Sequence, residues 1–133
     1  MVRVIADLAC MSTPTATLEA ICRMPEDFKR RGDVSMATLL KESRHLNSPD
    51  QLTEKVLRQY IEAHPEIIDS WTNLSEDQRA SKCWYVLRPE WAESGGSWIV
   101  GFHPGGPRKS YSNGVDACAA FIKRYVEDLA KYV

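Results

Sequence analysis

The sequence predicts an α+β fold: N-terminal helices, a small three-stranded antiparallel sheet and a long C-terminal helix packed on it. Three observations carry that prediction. Apolar residues recur at helical spacing through much of residues 18–71. Two runs rich in aromatic and β-branched residues follow, CWYVL from Cys83 and SWIVGFH from Ser97. The chain then closes on one apolar stripe, Cys118, Phe121, Ile122, Tyr125, Val126, Leu129 and Tyr132. The expected organisation is a single domain, helical over 1–82, sheet over 83–112 and helix over 113–133.

In chain order, residues 1–13 are ambiguous, since Val2, Val4 and Ile5 suit a short strand or a helix start. Thr13-Pro14-Thr15 signals helix entry, and Leu18, Ile21 and Cys22 continue at helical spacing. Pro25 breaks that helix or opens a new turn, which Gly32 ends. Asp33 is the expected cap of a helix bearing Met36, Leu39 and Leu40. Ser48, Pro49 and Gln51 form a start signal for the next, with Leu52, Val56, Leu57, Tyr60 and Ile61 as its stripe. Pro65 stops it and opens a turn holding Ile67, Ile68 and Trp71. Ser75-Glu76-Asp77-Gln78 reads as a second capping box, with Arg79 pairing locally to Glu76 or Asp77.

The two aromatic runs end at Pro89 and at the Pro104-Gly105-Gly106-Pro107 turn, and residues 108–112 make a short third strand before Asn113 caps the last helix. Consecutive short strands joined by turns suggest a meander. Alternation places Trp84 and Val86 on one face, Tyr85 and Leu87 on the other, and sets Trp98 and Val100 against Ile99 and Gly101.

Composition limits the function classes. With 133 residues, a sizeable core is within reach, because a domain of about 150 residues buries roughly 70% of its unfolded surface. The 44% hydrophobic and 26% charged content argue against disorder. A net charge of −1 argues against direct nucleic-acid binding. Residues 50–77 carry seven acids against two bases, a local charge of −5, and the remainder is +4. Such a run is a solvated helical face or an acidic surface for a basic partner. The four cysteines form no CxxC pair, and Cys118 falls on an apolar stripe, so a reduced, cytoplasmic chain is expected. Residues 7–10 superficially match a lipoprotein cleavage site, but the apolar stretch before them is too short for a leader. No run is long enough to span a membrane.

Candidate reaction centres are few. A Cys–His nucleophile would need Cys83 or Cys118 near His103, oriented by an acid such as Asp116. Three separated histidines, His45, His64 and His103, give no metal pattern, and the glycines before Arg108-Lys109 match no phosphate-binding motif. No cofactor is expected. Trp91, in the polar loop PEWAESGG, is the best exposed aromatic anchor.

Residues 65–129 show a further pattern: EIIDSW, SEDQR, Trp84-Tyr85, Trp98-Ile99-Val100-Gly101 and Ala117-Cys118-Ala119-Ala120-Phe121-Ile122. In these elements the chain resembles small bacterial immunity proteins of polymorphic toxin and contact-dependent inhibition systems. The likeness covers about half the chain; the first 48 residues carry no such pattern. It implies a cytoplasmic inhibitor that binds a cognate toxin domain and masks its active site. Were the toxin a basic nuclease, Glu54, Glu62, Glu66, Asp69, Glu76 and Asp77 would steer it, with Trp91 as anchor. Two other readings remain: a small enzyme using His103 with Cys83, and an adaptor or homodimer.

Overall fold

The computed structural model describes residues 15–47, 49–77, 83–91 and 96–132, and shows the expected α+β architecture. Among the described residues five helices precede the sheet: α1 (Thr15–Cys22), α2 (Met24–Arg31), α3 (Met36–Glu42), α4 (Glu54–Ala63) and α5 (Glu66–Asp77). Strands β1 (Cys83–Leu87), β2 (Trp98–His103) and β3 (Arg108–Tyr111) follow, then α6 (Gly114–Leu129). Short 3-10 turns fall at His45–Asn47, Pro49–Gln51, Pro89–Trp91 and Ala130–Tyr132.

Several boundaries stand where local chemistry puts them. Pro25 sits in the first turn of α2, where its missing N–H costs nothing. Gly32 closes that helix in the left-handed conformation (φ 72°), and its N–H donates to the Phe28 carbonyl. Asn113 caps α6, its side-chain oxygen accepting from the Asp116 N–H at 2.8 Å.

Three expected caps are corrected. Ser35, not Asp33, caps α3: its backbone is extended and its hydroxyl accepts from the Thr38 N–H. The later start turns Met36, Leu39 and Leu40 into the core. Thr53 rather than Ser48 caps α4, accepting from Val56. The chain first makes the Pro49–Gln51 turn, which buries Leu52, and Lys123 of α6 donates to the Leu52 carbonyl at 3.1 Å. Ser75 caps nothing, because α5 runs unbroken to Asp77. No Gly or Pro interrupts it, and the Ser75 hydroxyl bonds to a strand instead. Residues 1–13, Ser48, Gln78 and Arg79 lie outside the described residues.

The sheet has order β1-β2-β3, antiparallel throughout, with Val86 opposite Val100 and Val100 opposite Lys109. The face carrying Trp84, Val86, Trp98 and Val100 packs on α6. Val86 and Val100 join the core, the Trp98 ring lies against Gly114, and the Arg124 guanidinium lies 5.3 Å from the Trp84 ring. On the opposite face Tyr85 covers Gly101, its cross-strand partner. A Cβ there would meet the Tyr85 hydroxyl at 2.6 Å, so the glycine admits the ring. Leu87 and Ile99 on that face are also buried.

The main core joins helices to sheet through α5 and α6. Trp71 is fully buried and meets Phe121 and Tyr125 edge-on at 5.8 and 5.4 Å. Its indole N–H donates to the Cys22 carbonyl at 2.9 Å, satisfying an acceptor that the end of α1 leaves open. Among the described residues no helix is long and apolar enough to cross a membrane.

Candidate functional site

The acidic residues singled out from sequence do not form one face. Glu54 opens α4 beside the sheet, 4.0 Å from Arg58. Glu62 is exposed and has no ion pair among the described residues. Glu66 and Asp69 lie on α5, each answered by a distant arginine. Arg23 bridges Glu66 at 3.0 Å and Glu26 at 3.1 Å, and Arg88 pairs with Asp69. Glu76 is exposed near the end of α5. The side chains of Asp77 and Trp91 lie outside the described residues, although their backbones end α5 and the Pro89–Trp91 turn.

The acid is nonetheless concentrated. α5 holds Glu66, Asp69, Glu76 and Asp77 with no lysine or arginine, whereas α4 balances Glu54 and Glu62 with Lys55 and Arg58. At the start of α5 the helix amide of Glu66, together with Arg23, holds its carboxyl below the usual range.

Beside α5 runs an open groove of about 530 Å³, walled by α2 and α5. Pro25, Phe28 and Leu74 supply its apolar surface; Glu26, Asp69, Ser70 and Asn73 supply its polar edge, with Lys29 the one base among the described residues. Phe28 keeps 38% of its surface exposed, unusual for a large apolar side chain. The walls are fixed to each other: Ser70 donates to the Glu26 carboxylate at 3.1 Å, the same oxygen that Arg23 reaches. Sequence reading missed this wall. Phe28 stands alone among charges in PEDFKRR, which is the signal that could have found it.

A second groove, about 330 Å³, runs along the seam between the sheet and α6. Trp84, Tyr111, Arg108, Lys109, Arg124 and Glu54 are among its lining residues. Lys109 lies 5.3 Å from the Tyr111 ring, matching Arg124 over Trp84. The two grooves thus differ in sign, the first rimmed mainly by acid and the second mainly by base.

Cys83 and His103 are direct cross-strand partners. The expected third member is elsewhere: Asp116 belongs to α6, on the other side of the sheet, where it takes part in the Asn113 cap and lies 3.7 Å from Arg58. Cys22 and Cys118 are core thiols. Burial pushes Cys22 up to about 12, and raises Cys118 as well. His64 closes α4, stacked on Tyr60 with a ring nitrogen 3.1 Å from the Tyr60 carbonyl. Among the described residues, no three His, Cys, Asp or Glu side chains gather as a metal site.

No protein-family model matches the chain, and neither the characterised proteins nor the solved structures yield a significant match.

Proposed function

We propose that this protein is an immunity-type inhibitor that binds a cognate toxin domain and masks its active site. The observation that carries the reading is the α2–α5 groove, where an exposed aromatic side chain stands among carboxylates on a rigid helical wall. A basic domain presenting an apolar side chain next to lysine or arginine is complementary to that surface. Phe28 would supply the buried centre, while the exposed acids Glu62 and Glu76 steer the encounter. The Arg23–Glu26–Ser70 contacts set the groove before binding, which lowers the ordering cost of association.

The test is co-expression and pull-down with the C-terminal domain of a toxin encoded beside this gene. A stable complex that protects the host is expected. Phe28→Ala should weaken it by about 2 kcal/mol or more, as hot-spot truncations do. Absence of both complex and protection would overturn the proposal.

The pairing of Cys83 with His103 favours a second reading, a cysteine-dependent enzyme. Alkylation at neutral pH separates the two. A thiolate activated by His103 reacts fast, and slows when His103→Ala removes the base. A Cys83 rate unchanged by that substitution eliminates the enzyme.

A further inference from the structure

The two edges of the sheet are built differently, and the difference points to a second docking site. Alternate residues of an antiparallel strand turn their backbone N–H and C=O toward the neighbouring strand, and the rest turn theirs away. The Phe102 N–H donates to the Pro107 carbonyl at 3.1 Å, which sets the phase of the β2–β3 pair. Lys109 and Tyr111 therefore bond to β2, while Arg108 and Ser110 direct their backbone groups outward. The same phase turns Val86 outward at the β1 edge, where Ser75 meets it at 2.9 Å. At β3 nothing does the same: among the described residues no hydrogen bond reaches the backbone of Arg108 or Ser110 from outside, and both residues are exposed.

We infer that the β3 edge, with the basic seam beside it, is a docking site for an extended acidic segment of a partner protein, added as a fourth strand. The charges select the occupant. Arg108 and Lys109 have no ion pair among the described residues, and Arg124 has only a loose one, 3.9 Å from Glu127. Among the described residues the single acid lining the seam, Glu54, is associated with Arg58. A strand laid along β3 would place alternate side chains over Lys109 and the seam, and the others beside Arg108. Carboxylates at both sets of positions are complementary. A second copy of this chain is a poor occupant, because pairing β3 with itself would set Arg108 and Lys109 against their own kind. Nucleic acid fits less well too. Bases need open aromatic faces, whereas Trp84 and Tyr111 already have cations over their rings.

The site lies at the sheet edge away from α5 and does not depend on the inhibitor reading. The test titrates the whole protein with a blocked peptide alternating Glu and Val, its Lys–Val counterpart, and an oligothymidylate. Trp fluorescence reports binding, and amide exchange reports pairing. The Glu–Val peptide should bind at least about tenfold more tightly than the Lys–Val peptide, equivalent to about 1.4 kcal/mol. It should also slow exchange at the Arg108 and Ser110 amides. Lys109→Glu should erase the preference. Ser110→Pro, which removes an outward N–H from an edge strand, should abolish protection while leaving the fold intact. Phe28→Ala should change neither. Binding without amide protection, tighter binding of the oligonucleotide, or no binding at all would each overturn the inference.

Discussion

The β1 edge is sealed at Val86 and the β3 edge is open, although both belong to one small sheet. At β1, α5 lays a polar row against the strand. Ser75 both donates to the Val86 carbonyl and accepts from its N–H, and Thr72 and Asp69 take the Arg88 guanidinium. Ser75 is only 1% exposed, so these bonds are made away from water. Among the described residues the protection at β3 is charge alone, a lysine and an arginine on a short strand. A helix closes an edge permanently; charge closes it selectively, repelling like strands and admitting one of opposite sign.

The largest expected effect comes from removing what holds α5 in place. Trp71→Ala should cost about 3–5 kcal/mol by urea denaturation, as large aromatic truncations do. It should also speed exchange of the Val86 amide well before global unfolding. If that amide stays protected, the seal does not depend on the Trp71 anchor.

Ser75→Ala leaves the helix intact but strands two buried backbone groups. At about 1–3 kcal/mol for each unsatisfied group, the expected cost is on the order of 2–6 kcal/mol. A cost below about 0.5 kcal/mol, the usual range of surface changes, would mean that the β1 edge is no better sealed than the β3 edge.

A pH titration extends the contrast to the helical half. His45 is buried with its Nδ1 unpartnered, and burial, reinforced by the Lys123 charge, lowers its pKa below 6.5. The unfolded chain therefore takes up a proton at a pH where the folded protein does not. The stability linked to neutral His45 is present above pH 6.5 and is lost as the pH falls toward the folded value. Urea midpoints measured down this range should fall, and should fall less in His45→Phe. An equal decline in both proteins would assign the acid sensitivity to other groups.

The smallest effect belongs to the open edge. Ser110→Ala should stay within about 0.5 kcal/mol of the parent, because an exposed hydroxyl on an unpaired strand does little for the fold. A larger loss would show that β3 is already covered.

Much of this fold was legible in sequence because its signals are local. Alternation separated Trp84 and Val86 from Tyr85 and Leu87, Gly32 marked a helix end, and Asn113 marked a helix start. The misread features are those whose partners are remote. Ser75 followed by acids has the pattern of a cap, but its hydroxyl is used by Val86, eleven residues on. The acid run appeared as one surface because Arg23, 43 residues before Glu66, and Arg88, 19 residues after Asp69, could not be assigned to it in advance. The candidate site was visible as charge but not as shape. The Phe28 wall and the β3 seam exist only once helices and strands have packed.

The polar row on α5 also acts as a ruler. Asp69, Thr72 and Ser75 recur every three residues, and their side chains reach Arg88 and Val86, two positions apart on the chain. If β1 slipped by one residue, the Ser75 hydroxyl would face Tyr85 or Leu87, whose backbone groups point toward β2, and every side chain of the strand would change faces. Once docked, the helix therefore selects which residues of β1 the rest of the sheet must pair with.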